Sequence, residues 1–104
     1  MGVLQVRRLT SITIPSGIRI IPIFAFAECV SLTDVIIEGE LELIFQAAFQ
    51  NCESLTSAAI PASVKMFYPD TFSGCDNLVL TVEEGSYAEK CAKSSGIPYV
   101  IAEE

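Results

Sequence analysis

The stretch LTSITIPSGIRIIPIFAFAECVS, residues 9–31, returns along the chain at a fixed step of 23 residues. Leucine opens every copy, and a phenylalanine and a cysteine return near the end of the first three copies. These positions are Leu9, Leu32, Leu55 and Leu78, then Phe26, Phe49 and Phe72, and then Cys29, Cys52 and Cys75. A repeat of this length at many positions is typical of a solenoid, in which each copy forms one coil and stacked coils bury a shared core.

The repeat predicts a single solenoid domain for the 104 residues, a length that suits one compact core. The opening residues match the end of a repeat rather than its beginning, and the last copy loses one residue after Leu78. The predicted divisions are a partial repeat at residues 1–8, full repeats at 9–31, 32–54 and 55–77, and a degenerate repeat with a C-terminal cap at 78–104.

Within each coil the pattern predicts a strand, a turn, a short helical segment and a second turn. Ile12 and Ile14 are spaced as in a half-buried strand, and Pro15 with Gly17 breaks it. Ala25, Phe26 and Cys29 then have the spacing of one helical or 3₁₀ turn on the opposite wall. We expect a parallel sheet with strands near residues 11–14, 34–37, 57–60 and 79–82, and a core stack of Phe26, Phe49 and Phe72.

After the first turn, each coil has more apolar residues than can face inward. Two inward columns are predicted to hold Ile18, Leu41 and Val64, and then Ile21, Ile44 and Phe67. The apolar neighbours of these columns must then point elsewhere, and the repeat aligns them along the solenoid axis. They form a predicted partner-binding strip of Ile20, Pro22, Leu43, Phe45, Met66 and Tyr68. The alternative is that the wall is thicker and these six residues pack into a second layer.

The C-terminal segment SYAEKCAKSSG predicts a short helix within residues 86–95. Ser86 with Glu89 three residues later forms a capping box, and Gly96 is a helix stop. One face carries Tyr87 and Cys91, so the helix is expected to cover the apolar end of the stack. The alternation of Ile97, Tyr99 and Ile101 then suggests a final strand.

The residues that could carry chemistry favour structural roles. No histidine and no CxxC pair is present, so neither a metal site nor a cofactor is predicted. The cysteine column is interpreted as small buried hydrophobes, because parallel Cβ vectors about 4.8 Å apart give poor disulfide geometry. Cys91 is the thiol expected to be partly exposed, and it lacks a histidine base, so no enzyme is predicted. The run Glu38, Glu40 and Glu42 lacks calcium-loop spacing and reads as a charged rim.

Charge and hydropathy exclude two classes of partner. Six basic and 13 acidic residues give a net charge of −7, so nucleic acid would be repelled. The mean hydropathy is +0.50, but no apolar run reaches the roughly 18 residues that would cross a bilayer. We therefore expect no membrane span, and residues 1–8 show no signal-peptide pattern.

LTSITIP, the AFxxC pattern and the tail EEGSYAEKCAKSSGIPYVI resemble the BspA-like leucine-rich repeats of bacterial surface proteins, over about residues 9–101. The resemblance implies an α/β repeat solenoid: a right-handed leucine-rich-repeat-like coil with a parallel sheet, short helical turns and a C-terminal capping helix. It further implies a cell-surface or secreted protein used in adhesion or protein recognition, without cofactor or catalysis.

Two functions follow as alternatives. The first is a non-enzymatic protein-recognition or adhesion module forming the C-terminal part of a longer repeat array, and the second is a structural spacer or cap without its own ligand. An excess of outward apolar residues favours the first. A homodimer through the N-terminal end is a further hypothesis, because the partial coil at residues 2–8 would leave edge groups that another chain can pair with.

Overall fold

The computed structural model describes residues 9–102, so the predicted partial coil at residues 1–8 lies outside the described part of the chain. Two parallel sheets and one helix are formed within that range. In chain order the elements are β1 (Ser11–Ile14), β2 (Ile20–Ile21), β3 (Asp34–Ile37), β4 (Leu43–Ile44), β5 (Ser57–Ile60), β6 (Met66–Phe67), β7 (Val79–Val82), α1 (Tyr87–Ser95) and β8 (Tyr99–Ile101).

The chain winds as a solenoid between two walls of parallel strands. One wall is a five-stranded sheet of order β1-β3-β5-β7-β8, and the other is a three-stranded sheet of order β2-β4-β6. The four predicted strands and the final strand of the first wall are confirmed. The second wall was predicted only as columns of apolar residues, because strands of two residues are too short to show an alternating pattern.

The pairing register follows the sequence repeat. Ser11 pairs with Asp34 and Ile20 with Leu43, both 23 positions on. Ser57 pairs with Val79, only 22 positions on, as expected from the residue lost in the fourth copy. Leu80 and Val82 consequently face inward, with 0% and 1% of their surface exposed. The register therefore places equivalent residues of neighbouring coils side by side.

The core is a stack of equivalent side chains from successive coils. The rings of Phe26 and Phe49 lie 5.4 Å apart and those of Phe49 and Phe72 5.5 Å apart, both nearly parallel. Leu32 and Leu55 belong to the same core cluster and are completely buried. Phe49 and Phe72 are buried and Phe26 is half-buried, so the predicted phenylalanine stack is confirmed.

The segment between the two walls contains turns instead of a continuous helix. Ala25 donates to the carbonyl of Pro22 and Cys29 to that of Phe26, which is the i to i+3 pattern of a 3₁₀ turn. Phe24 interrupts the pattern with φ 61° and Glu28 with φ 67°, both in the left-handed region. The predicted short helical turn thus has the expected hydrogen bonds, but its backbone leaves the helical region at Phe24 and Glu28. The same break recurs one coil later at Ala47 and Asn51.

The cap at the C-terminal end has the predicted construction. The Ser86 side chain accepts a bond from the Glu89 amide, and Gly96 ends α1 with φ 75°. The Glu89 carboxylate accepts a hydrogen bond from the Gly85 amide, whereas a capping box predicts the Ser86 amide as the donor. The Tyr87 hydroxyl donates to the Phe67 carbonyl, and the two rings meet edge to face. The helix therefore covers the last strand of the three-stranded sheet.

Two expectations about burial were wrong. Ile18 was placed in an inward column, but 41% of its surface is exposed, whereas its equivalents Leu41 and Val64 are buried. Ile18 belongs to the first described coil, which within residues 9–102 has a neighbouring coil on one side only. Cys91 was expected to be partly exposed, but it is buried. It lies on the face of α1 that packs on the last coil, and its thiol donates to the Phe67 carbonyl at 3.5 Å. No helix in the described range is long and apolar enough to span a bilayer.

Phe49 is the residue whose truncation should be most costly, because it stacks against an aromatic ring in the coil on each side. We expect Phe49→Ala to lower the free energy of unfolding by about 3–5 kcal/mol, measured by urea denaturation. Gln46→Ala, at an exposed position of the same coil, is the control and should stay within about 0.5 kcal/mol of the parent. An unchanged midpoint for Phe49→Ala would contradict the core assignment.

Glu89 makes the stability of the cap depend on pH. The bond from the Gly85 amide, the Tyr99 hydroxyl and nearby Lys93 lower the pKa of its carboxyl below the usual 4.5. A lowered pKa in the folded state gives stability that is present above the unfolded value and lost as pH falls below it. The parent should thus have a higher melting temperature than Glu89→Gln at about pH 6, and this difference should shrink as the pH falls to about 3. Glu53→Gln, in an exposed turn, is the control, and an equal shift in both variants would refute the assignment to Glu89.

Candidate partner-binding strip

The six residues of the predicted strip lie together on the outside of the three-stranded sheet. Ile20, Leu43 and Met66 occupy the first position of β2, β4 and β6 and pair directly in register. The next residue of each strand points into the core and is at most 2% exposed. Because side chains alternate along a strand, burying the second residue turns the first one outward. Pro22, Phe45 and Tyr68 follow the strands and continue the strip.

The exposure of the strip is greatest at its ends. Ile20 is 50% exposed and Met66 42%, and Pro22 is also exposed. Leu43, Phe45 and Tyr68 are half-buried, because neighbouring side chains flank them. None of the six belongs to the buried core cluster. Ile20, Pro22 and Met66 thus face outward, whereas Leu43, Phe45 and Tyr68 are partly covered, and the partner-binding strip stays a prediction.

Two aromatic rings form the middle of the strip. The rings of Phe45 and Tyr68 lie 6.4 Å apart with an interplanar angle of 12°. The Phe45 amide donates to the Ile21 carbonyl of the preceding coil at 2.9 Å, which fixes the backbone from which the ring projects. Stacked rings on a fixed backbone lose little conformational freedom on contact with a partner. They are accordingly the best anchor that this surface offers.

Thr71, which the sequence reasoning missed, supports these rings from inside. It is the buried polar residue of the described core, with 0% exposure. Its hydroxyl donates to the Phe45 carbonyl at 3.2 Å and accepts a bond from the Tyr68 amide at 2.9 Å. The signal was available, because the equivalent residues of the two preceding coils are Ala25 and Ala48. A hydroxyl in an inward apolar column indicates a backbone group that needs a partner.

Charged residues form one border of the strip. Arg19 and Glu42, each immediately before a strand, make an exposed ion pair of 2.6 Å, and Lys65 occupies the equivalent position in the third coil. The Glu42 amide donates to the Arg19 carbonyl and the Lys65 amide to the Glu42 carbonyl, both at 2.8 Å. An apolar centre beside a polar border is the usual anatomy of a protein interface.

The first coil adds two exposed apolar residues that the prediction did not include. Ile23 is 50% exposed and Phe24 60%. Their equivalents in the second coil are Gln46, which is polar, and Ala47, which is small and buried. This departure from the repeat was the signal that could have identified them. The exposed apolar surface therefore continues beyond Pro22 in the first coil only.

The outer face of the five-stranded sheet offers less to a partner. Most of its side chains are small or polar, as at Thr13, Asp34 and Ala59, although Ile36 and Val100 are also exposed on this face. The Asp34 carboxylate accepts a hydrogen bond from the Ser57 hydroxyl at 3.3 Å, so one of its oxygens already has a partner within the sheet. Aromatic residues are the more usual anchors of binding energy, and the strip on the other sheet has two of them. The aromatic strip is thus the better candidate site.

The cysteines and carboxylates do not assemble a reactive centre in the described residues. Cys52 donates to the Phe26 carbonyl at 3.2 Å and Cys75 to the Phe49 carbonyl at 3.1 Å, so these thiols serve as hydrogen-bond donors between coils. Burial raises the pKa of the Cys29 thiol, which keeps it protonated at neutral pH. The four cysteines are free thiols, and residues 9–102 contain no group of His, Cys, Asp or Glu arranged to hold a metal.

Comparison with known families gave one match. The family model described as a BspA type leucine-rich repeat region matches residues 4–86 in six copies. That span covers most of the predicted repeats and ends where α1 begins, so the family resemblance seen in the sequence is confirmed. Comparisons with curated proteins and with solved structures found no match for this chain.

Thr71 can be tested separately from the rings it supports. Thr71→Val keeps the shape of the side chain but leaves the Phe45 carbonyl and the Tyr68 amide without their hydroxyl partner. We expect a loss of about 1–3 kcal/mol in the free energy of unfolding, measured by urea denaturation. Thr71→Ser retains the hydroxyl and is the matched control, with a smaller loss. Equal stability of the two variants would show that the hydroxyl does not hold this backbone.

Proposed function

Because the chain belongs to the BspA-type leucine-rich repeat family, we propose that it is a non-enzymatic protein-recognition or adhesion module of a bacterial cell-surface or secreted protein. The family is generally a repeat module without catalysis and is often found in surface proteins. We also propose that this chain forms the C-terminal part of a longer repeat array. The helix α1 supports this placement, because it covers the last coil and solenoids end in atypical capping units.

The observation that carries the proposal is the apolar strip across three coils. A solenoid that serves only as a spacer needs inward apolar residues and gains nothing from outward ones such as Ile20 and Met66, at 50% and 42% exposure. Contiguous exposed apolar surface instead favours association with another protein. The strip, with the Phe45 and Tyr68 rings at its middle, is proposed as the contact surface.

The border of the strip limits the kind of partner. Arg19 is paired with Glu42, so Lys65 leaves this border with one net positive charge beside the apolar centre, while the chain as a whole has a net charge of −7. A protein surface with an apolar ridge and an acidic side chain placed to meet Lys65 would complement this arrangement. Nucleic acid is not an expected partner, because its dense negative charge opposes that of the whole chain.

The second candidate is a structural spacer or cap without a ligand. It is favoured by the small side chains on the outer face of the five-stranded sheet and by the closed C-terminal end. The homodimer expected from the sequence would use the N-terminal end of the stack. Self-association there would leave most of the strip free, so it does not compete with the recognition role.

The recognition role can be tested with a panel of immobilised extracellular matrix and cell-surface proteins, measured by biolayer interferometry with the parent chain. We expect saturable binding to at least one of them, and a loss of about tenfold or more in affinity for Phe45→Ser, since central aromatic residues dominate interface energy. The ring is half-buried and stacked, so the variant should lose about 2 kcal/mol of stability in parallel melts, from the lost stacking and the lost partial burial together.

Ser57→Ala, on the outer face of the other sheet, is the matched control and should bind as the parent does. Equal loss in both variants would place the contact elsewhere. Unfolding of Phe45→Ser at the assay temperature would show that Phe45 is a core residue and refute the strip. Absence of saturable binding across the whole panel would favour the spacer.

A further inference from the structure

The coils are joined differently at one boundary within the partner-binding strip. Between the first and second coils, the Phe45 amide donates directly to the Ile21 carbonyl at 2.9 Å. Between the second and third coils the equivalent amide, that of Tyr68, donates to the Thr71 hydroxyl at 2.9 Å. The hydroxyl donates in turn to the Phe45 carbonyl at 3.2 Å. A side-chain oxygen therefore connects the two ring-bearing segments at this boundary.

The backbone of Thr71 joins the same segments. Its amide donates to the Tyr68 carbonyl at 3.0 Å, and its carbonyl accepts a bond from the Phe49 amide of the second coil at 2.9 Å. Together with the two bonds of the hydroxyl, these bonds hold a residue that is 0% exposed. A branched Cβ further restricts the side-chain torsion of threonine. The position of the hydroxyl is accordingly fixed relative to both coils.

The boundary between the first and second coils has no such hydroxyl. Ala48 occupies the position equivalent to Thr71, and its methyl group neither donates nor accepts a hydrogen bond. At that boundary the strip places Pro22 beside Phe45, so a pair of aromatic rings is not formed there. The hydroxyl and the aromatic pair thus occur together, at the boundary between the second and third coils.

The spacing of the outer rings differs from that of the core rings in the same two coils. The centroids of Phe45 and Tyr68 lie 6.4 Å apart, whereas those of Phe49 and Phe72 lie 5.5 Å apart. The rings of both pairs are nearly parallel, with interplanar angles of 12° and 7°. Both separations lie within the range of favourable aromatic pairs. The wider pair is the one whose backbones are linked through the Thr71 hydroxyl.

We infer, on the basis of the proposed function of the strip, that Thr71 is a positioning residue for partner recognition. Its hydroxyl sets the spacing and orientation of the Phe45 and Tyr68 rings. Thr71 is buried, so it acts through these rings and does not touch the partner itself. Rings that are already held in the bound arrangement lose little conformational freedom on contact, which favours tight binding. The boundary between the second and third coils is then the centre of the contact surface.

A purely stabilising role for Thr71 has a different consequence. Loss of the hydroxyl would then lower the free energy of unfolding but leave the rings of Phe45 and Tyr68 in place while the chain is folded. A positioning role requires that the rings move in the folded chain. The arrangement of the rings below the melting temperature therefore distinguishes the two roles.

Nuclear Overhauser effects between aromatic rings of the full chain measure this arrangement without a partner. Thr71→Val and Thr71→Ala remove the hydroxyl, and alanine is the residue at the equivalent positions of the first two coils. The effects between Phe45 and Tyr68 should be lost in both variants, whereas Thr71→Ser should retain them. The effects between Phe49 and Phe72 should persist in all variants as the internal control.

Val82→Ala is the matched control for stability. It removes buried methyl groups from β7 in the other sheet, at a residue that is 1% exposed. The melting temperature of this variant should fall, but the effects between Phe45 and Tyr68 should be those of the parent. A loss of these effects in Val82→Ala as well would mean that reduced stability alone disturbs the rings, which would overturn the inference.

Binding is then measured by biolayer interferometry on the immobilised extracellular matrix and cell-surface proteins that bind the parent. We expect Thr71→Val to lose about tenfold in affinity, and Thr71→Ser and Val82→Ala to remain within about twofold of the parent. Thr71→Val with unchanged ring contacts, or with lost ring contacts and parental affinity, would overturn the inference. Absence of binding by the parent would refute the proposed function, while the ring contacts still decide whether Thr71 positions the rings.

Discussion

The hydrogen bonds between successive coils are the interaction on which the rest of this structure depends. They hold each coil in register with the next, as in the bonds from Phe26 to Ala48 and from Glu28 to Gln50, both 2.7 Å. A fixed register turns a repeat in sequence into columns in space. The phenylalanine stack, the thiols that donate to carbonyls and the apolar strip are all columns of this kind. Each coil is stabilised mainly by its immediate neighbours, so the fold is close to one-dimensional.

Alternation along the short strands decides which apolar residues are core and which are surface. In β2, Ile21 is 2% exposed and Ile20 50%, although the two residues are chemically identical. Hydrophobicity alone therefore could not assign either residue, and the assignment depends on the register of the strand. The same constraint applies at β4 and β6. The packing of the core thus determines the candidate site, because the apolar residues that do not fill the inward columns lie on the outer surface.

Much of this fold could be predicted from the repeat, because identical spacing implies identical conformation in each coil. The four long strands, the phenylalanine stack and the capped helix followed directly from residues that recur or from known capping chemistry. The left-handed residues Phe24 and Glu28 could not be predicted, since neither side chain favours a positive φ and both are held there by bonds to the next coil.

Burial of Ile18 and Cys91 was misjudged for a related reason. Both depend on what lies above or below the coil rather than on the coil itself. A pattern averaged over repeats carries no information about the ends of the stack, where the neighbours differ. The hydroxyl of Thr71 could not be found from residues that recur, because it departs from the alanines at the equivalent positions of the two preceding coils.

The turn column of Glu28, Asn51 and Gly74 shows that the three coils are not interchangeable parts. All three residues have positive φ, but only the third is glycine. A side chain at position 74 would collide with the Asn51 side-chain oxygen, which occupies that space and whose neighbouring amide donates to Glu28 at 3.0 Å. Glycine at the third position thus leaves the space that the Asn51 amide occupies. A side chain at position 74 would force that amide to move, and the bond to Glu28 that links the first two coils at this turn would be put at risk.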